Sequence, residues 1–206
     1  SVLINNSGSL DENKKMQLYE VIYDDSLWLI NLVENLLSVT RIEDGKMNLH
    51  LETELIEEVI NEALNHISHK KDEHRIEVKA NDEFILAKID AGLIIQVIIN
   101  IVDNAIKYTP KGSMISIETF KHKDFVEIQI ADDGAGISDK DKEKLFEMFY
   151  TVKHEVIDGR RGLGLGLALC KAIIVAHGGN IAVKDNIPHG TIFSFTLPIK
   201  EVEIHE

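Results

Sequence analysis

The sequence predicts an α+β protein: a two-layer α/β sandwich, with one mixed sheet carrying helices on one face and a long helix preceding it. Three observations carry this expectation. Period-two alternation marks two strand pairs, 114–120 with 125–131 and 181–183 with 191–197, each joined by a short turn. Two apolar runs, 90–108 and 166–177, have helical character. Near the start, Leu18, Ile22, Asp25, Leu29, Leu32, Leu36 and Val39 alternate spacings of four and three, a heptad seam with one polar interruption. Strands interleaved with helices favour a sheet covered on one side.

Composition narrows the function classes. The 206 residues are 44% apolar, enough for a proper core, and leave room for one large or two small domains. A net charge of −13 disfavours nucleic acid as a partner, because phosphate binding wants a basic face. No run is expected to span a bilayer, which takes roughly 18 apolar residues. The single cysteine, Cys170, excludes an internal disulfide framework and fits a reducing compartment. Its apolar neighbours Leu169, Ala172 and Ile173 predict a buried small side chain.

Taken in order, residues 1–6 read as the end of a helix broken by Gly8, and Ser9-Leu10-Asp11-Glu12 as a capping box for the next helix, expected to run to about Glu43. Val21, Leu27, Trp28, Ile30, Val33 and Leu37 widen the apolar face beyond a two-stranded seam, so the helix calls for a four-helix bundle. Asp44-Gly45 suits a helix end and divides the chain into 1–45 and 46–206. Beyond it, Met47, Leu49 and Leu51 alternate as a strand, 55–67 shows a helical period, and 76–80 and 85–89 read as strands. Thr109-Pro110-Lys111-Gly112 stops the helix of 90–108. His177-Gly178-Gly179 reads as a helix C-terminus, where a cation is favoured.

That helix carries an anomaly. It is apolar on most sides, yet Gln96, Asn100 and Asn104 recur every four residues, with Asp103 and Lys107 beside them. An unpaired buried amide costs about 1–3 kcal/mol, so the stripe needs a partner. A structural hydrogen-bonded stripe would satisfy one such Asn. Several aligned positions ending in Lys107-Tyr108 point to a ligand, because amide oxygens suit a hard cation such as magnesium and an ammonium suits phosphate. Asp132-Asp133-Gly134-Ala135-Gly136-Ile137 closes a strand. A carboxylate followed by a glycine turn lets backbone approach a planar ligand and can accept from an exocyclic amino group. Gly162-Leu163-Gly164-Leu165-Gly166-Leu167 opens the second apolar helix and exposes free N–H groups at a positive helix end, which suits polyphosphate.

Together these motifs resemble the ATP-binding domain of sensor histidine kinases, within the superfamily that includes gyrase and Hsp90. Asn100–Lys107 resembles the N box, Asp132–Gly136 the first glycine box, Phe146–Tyr150 the F box and Gly162–Leu167 the second glycine box. The resemblance covers residue 46 to about 198 and implies a Bergerat-type fold. The helix of 22–45 resembles the second helix of the kinase dimerisation hairpin, in wording similar to the potassium-responsive Kdp branch. The resemblance implies ATP and Mg2+ as cofactors. Asn104 would ligate the metal, Lys107 hold the phosphates, Asp132 the adenine amino group, the Gly162–Gly166 backbone (with Leu163, Gly164 and Leu165) the triphosphate, and Asn100 orient the reacting groups. Tyr108, Gly134, Gly136, Ile137 and Thr191 complete the implied nucleotide-binding set. Residues 150–161 would form the ATP lid, with Phe146 and Phe149 anchoring its base. The implied partners are a cognate response regulator and a second copy of the chain. The implied location is the cytoplasmic portion of an inner-membrane sensor, anchored through parts outside this sequence.

Two departures matter. None of the nine histidines has the acidic and Arg-Thr-Pro-Leu context of a phosphoacceptor, which is expected before Ser1, so the sequence reads as a fragment that binds ATP without labelling itself. Thr151 stands where many relatives carry Arg after Phe-Tyr, so either Lys153, Arg160 or Arg161 substitutes or the contact is absent. Two other function classes compete. Hydrolysing relatives carry a general-base Glu at the place of Asn100, and an amide cannot take water's proton. A non-catalytic ATP-sensing module is the other.

Overall fold

The computed structural model describes residues 11–16, 18–19, 21–23, 26, 33, 49–67, 74–80, 84–152 and 163–199. The chain divides into two units, Ser1–Gly45 and Lys46–Glu206. In the first, the described residues from 12 onward are helical. Asp11 starts them: its carboxylate accepts the Lys14 N–H at 2.7 Å and its carbonyl the Lys15 N–H. The cap is therefore Asp11, and Ser9 of the expected capping box lies outside the described residues. Of the heptad seam, Leu18 is half-buried and Ile22 is exposed; Asp25, Leu29, Leu32, Leu36 and Val39 lie outside the described residues.

The second unit runs β1 (Glu52–Leu55), α1 (Ile56–His66), β2 (Arg75–Ala80), β3 (Leu86–Ile89), α2 (Ala91–Tyr108), β4 (Met114–Lys121), β5 (Phe125–Asp132), α3 (Asp139–Lys142), α4 (Gly166–Ala176), β6 (Ile181–Asp185) and β7 (Thr191–Pro198). Five strands form one mixed sheet in the order β2-β4-β5-β7-β6. Only β2 and β4 pair in parallel within it, and the other neighbours are antiparallel. A separate two-stranded sheet, β1-β3, was not expected as such. The first described strand is 52–55, because it is the antiparallel partner of β3, Glu52 opposite Ile89, that makes it a strand; of the strand expected around 47–51, residues 49–51 are not strand and 47 and 48 lie outside the described residues. Alternation in residues 47–51 finds no such partner among the described residues.

Register places one face of every central strand in the core. Ile117 lies opposite Ile130, and Ile130 opposite Phe193. Ile115, Ile117, Val126, Ile128, Ile130, Phe195 and Leu197 are at most 1% exposed. Glu118, Glu127, Gln129, Ser194 and Thr196 alternate with them on the other face. Helices cover the inner face: α2 packs against α1 and α4 and contacts β4 and β5. Its Ile94, Val97, Ile98, Ile101 and Val102 are fully buried, at about 1.5–3 kcal/mol each relative to exposure. With 18 residues α2 does have the length and apolar composition of a bilayer span, contrary to the expectation that no run would. Its packing between two helices and the sheet identifies it as the core helix.

Local chemistry fixes the helix ends. Asp90 caps α2, its Oδ1 accepting from Leu93 N at 3.3 Å and Oδ2 from His50 N at 3.0 Å. At the other end Thr109 is extended, as the residue before a proline prefers, and its hydroxyl donates to Ala105 O at 2.7 Å. α4 ends in a Schellman motif, with Gly178 in the left-handed region, Gly178 N donating to Val175 O and Gly179 N to Ile174 O. The expectation of a cation at His177 does not hold. The ring is buried, and its Nε2 accepts the Asp90 N–H at 3.1 Å, so that nitrogen carries no proton. Nδ1 donates to Ile173 O at 2.8 Å. A neutral imidazole thus ties the end of α4 to the start of α2.

Candidate functional site

The polar stripe of α2 resolves into two unlike amides. Asn100 Nδ2 donates to the Gln96 carbonyl one turn earlier, at 3.0 Å. Its Oδ1 faces the first residue of α4: a Cβ on Gly166 would stand 2.9 Å from it. Gly166 is therefore the residue that lets the start of α4 close on the stripe. One turn on, Asn104 is half-buried and its side chain has no hydrogen-bond partner among the described residues. The stripe is thus satisfied internally at Asn100 and left open at Asn104. Asp103, exposed on the same turn, has its carboxyl lifted to about 6 by desolvation, a shift that solvent at its open side tempers. Lys107 Nζ lies 5.1 Å from the Tyr108 ring centroid, and Tyr108 is 39% exposed.

The end of β5 is built tightly. Asp132 is 8% exposed, and its Oδ1 accepts two N–H groups, Gly134 at 2.9 Å and Thr191 at 3.2 Å. Burial pushes the carboxyl above its ordinary range, and these hydrogen bonds partly offset the push. A Cβ on Gly134 would meet Thr109 Cγ2 at 2.8 Å, so the glycine allows the end of α2 to approach this turn. Gly136 is left-handed, at φ +78°, and packs against the Gly190 carbonyl; Ile137 beside it is half-buried.

The loop before β7 braces Asp132 from behind, a role that sequence reasoning missed. Asn186 Nδ2 donates to the Asp132 carbonyl at 2.8 Å, and His189 Nδ1 donates to the Asp133 carbonyl at 2.8 Å. Gly190, at φ +114°, lies so close that any Cβ would overlap the Asp132 carbonyl. Read from sequence, Pro188-His189-Gly190 signalled only a turn. Nothing local in it announces contact with a residue more than fifty positions away. Thr191, expected in the nucleotide-binding set, is 4% exposed with its N–H committed to Asp132; it sits behind that carboxylate.

The stripe of α2, the turn after β5, the start of β7 and the N-terminus of α4 therefore converge. The family profile described as histidine kinase-, DNA gyrase B- and HSP90-like ATPase matches residues 89–201. The chain belongs to this ATPase family. It is 42% identical to the sensor protein KdpD of Clostridium acetobutylicum over 198 residues, 96% of this chain and 22% of that protein. It also resembles the Acinetobacter baumannii histidine kinase AdeS, with a TM-score of 0.74 at 26% identity over 97% of this chain and 91% of that one. A histidine kinase ThkA solved in complex with the response regulator protein TrrA aligns at a TM-score of 0.70 and 25% identity, over 96% of this chain and 55% of that one. The chain spans about a fifth of the length of KdpD and about a third of that of the sensor histidine kinase WalK from Bacillus subtilis.

Within this ATPase frame, the F-box segment differs from expectation at one ring. Phe146 is half-buried and meets Phe193 edge-on, at 6.5 Å between centroids. Phe149 is 67% exposed, and its ring has no aromatic contact among the described residues. Its φ of +62° turns the ring outward, while its N–H donates to Gly164 O at 2.9 Å. The anchor at this position is backbone. Leu163 is exposed and Leu165 buried. Gly162, the lid residues from Lys153 onward, and Arg160 and Arg161 lie outside the described residues. Among the described residues no cluster of His, Cys, Asp or Glu could cage a metal. Cys170 is fully buried, its thiol pushed up to about 12.

Proposed function

We propose that residues 46–206 form the ATP-binding catalytic unit of a sensor histidine kinase. It would pass the γ-phosphoryl of ATP to a histidine and on to an aspartate of a response regulator. The observation that carries this reading is the junction of Asn100 with Gly166, with the unpartnered Asn104 amide one turn along and the braced Asp132 beyond. One end offers free backbone N–H groups at a helix start, and the other a fixed acceptor.

Magnesium fits this donor set. It prefers oxygen, keeps several waters and is normally held by one or two protein groups plus substrate phosphates, so an open amide oxygen at Asn104 suffices without a protein cage. When bound it neutralises charge on the phosphates. The chain's own residues do the remainder. The Asp132 carboxylate accepts from the adenine amino group while its Oδ1 is held by Gly134 and Thr191. The Gly164–Gly166 backbone directs N–H groups and the α4 dipole at the phosphates. Lys107 adds a cation, and Asn100, already fixed to Gln96, orients the reacting groups. An amide at Asn100 cannot act as a base, which disfavours steady hydrolysis.

Residues 1–45 are read as part of a dimerisation hairpin. Val21, Ile22 and Val33 leave 49–55% of their surface exposed in the single chain, as a helix awaiting a bundle partner would. The KdpD likeness supports potassium or osmotic regulation, and the ThkA complex with a regulator supports a response-regulator partner. The free, buried Cys170 supports a cytoplasmic setting. The deciding experiment is calorimetric titration with ATP, with and without magnesium, alongside phosphate release. Binding strengthened by magnesium, with turnover far below about 10 s⁻¹, is expected. Robust hydrolysis that vanishes in Asn104→Ala would replace the kinase reading with an ATPase one.

A further inference from the structure

We propose that Tyr150 is a positioning residue for the phosphate end of this site, acting through its hydroxyl. Its OH donates to Asp141 Oδ1 at 2.6 Å. Asp141 belongs to α3, whose first turn is fixed by Ser138: the Ser138 hydroxyl accepts the Asp141 N–H and donates to its second carboxylate oxygen. α3 is in turn tied to β6, since Lys142 bridges Asp139 at 2.8 Å and Asp185 at 2.6 Å, with only 14% of the lysine side chain exposed. The carboxylate beside it raises the Tyr150 phenol above its ordinary range, so the hydroxyl keeps its proton and remains the donor.

The connection to the site is made by backbone. Phe149 N–H donates to Gly164 O at 2.9 Å. Gly164 is left-handed, at φ +70°, and packs so closely on residues 149 and 150 that any Cβ would collide with the Tyr150 carbonyl. Two residues on, Gly166 abuts Asn100. The 149–150 backbone is therefore the surface against which the Gly164–Gly166 turn is set, and the Tyr150 hydroxyl holds that surface to α3. Asp132 stands at the other end of the site and shares none of these contacts. The inference rests on the nucleotide reading above and deepens it: the side chain governs affinity for phosphate, not for adenine.

Tyr150→Phe removes the hydroxyl and keeps the ring, so the test uses this variant in the whole chain. ATP binding should weaken about 5- to 10-fold, the scale of one ordinary hydrogen bond. Adenosine binding, measured by competition, should stay at the wild-type level, and the Phe149 amide should exchange its hydrogen faster. Asp141→Ala should weaken ATP at least as much, since it also removes the Ser138 hydroxyl bond, and the double variant should lose little more than Asp141→Ala alone, because the Tyr150 bond is already gone. Wild-type ATP affinity in Tyr150→Phe would overturn the proposal. So would equal losses for ATP and adenosine, or additive losses in the double variant. If the wild-type chain binds no ATP at all, the nucleotide reading fails first and the inference falls with it.

Discussion

The two ends of the candidate site are built on opposite principles. Asp132 is buried and satisfied from within: two N–H groups meet one carboxylate oxygen, and a side-chain amide holds its carbonyl. Asn104 is half-buried and has no partner among the described residues. The fold completes the first end before any ligand arrives, while the second is left for a ligand to complete. Unpartnered polar groups cost stability when buried, so an open amide is tolerated only where water or a ligand reaches it. The first end should therefore be sensitive to structural damage and the second to loss of ligand contacts alone.

The hardest break falls at the braced end. Gly190→Ala places a Cβ into the Asp132 carbonyl at a backbone angle that L-residues rarely adopt. A loss of about 3 kcal/mol or more in folding stability is expected from denaturant unfolding, together with loss of ATP binding. Unchanged stability would mean that the loop before β7 does not fix Asp132.

Asp132→Asn separates bracing from recognition. Asn retains the Oδ1 acceptor for Gly134 and Thr191, so the fold should persist, while a donor replaces an acceptor toward adenine. ATP affinity should fall by about 2–3 kcal/mol, with a much smaller change for GTP. Equal losses for both nucleotides would assign the carboxylate to phosphate or to folding. The pH response sharpens the point. Burial raises the Asp132 carboxyl in the folded state, so the native protein holds this proton to higher pH than the unfolded chain does. Its contribution to stability is therefore greatest at low pH. It declines as pH rises from the ordinary carboxylate range through the raised folded value. The decline should be shallower in Asp132→Asn, as read from unfolding midpoints across acidic pH.

At the open end, Asn104→Ala should weaken ATP-magnesium binding by about 1–3 kcal/mol and leave thermal stability unchanged, since the amide holds no described residue. A lowered melting temperature with wild-type affinity would make the stripe structural. The smallest effect is expected at Asn186→Ala. It removes one hydrogen bond behind Asp132 and should cost about 1 kcal/mol of ATP affinity, shared with a comparable loss of stability. An effect on affinity as large as that of Asp132→Asn would place Asn186 in contact with the ligand.

Much of this was written locally in the chain. Period-two alternation gave β4, β5 and β7 with their inward faces, because strand periodicity needs only neighbouring residues. The apolar run of 90–108 and the Thr109-Pro110 step bounded α2 to within a residue, because helical periodicity and pre-proline sterics are local. The spacing of Gln96, Asn100 and Asn104 marked a polar stripe, and Gly162, Gly164 and Gly166 marked a helix start with free N–H groups. What the sequence could not assign was which amide is already occupied. Asn100 and Asn104 are the same residue one turn apart, and only the approach of Gly166 and the bond to Gln96 distinguish them. The bracing of Asp132 by Asn186, Gly190 and Thr191, the pairing that makes 52–55 the strand, the neutral His177 and the outward Phe149 all depend on groups far apart in the chain. Such contacts have no local signature: tertiary packing decides them, because a polar group's state is set by whatever the folded chain brings within hydrogen-bond reach.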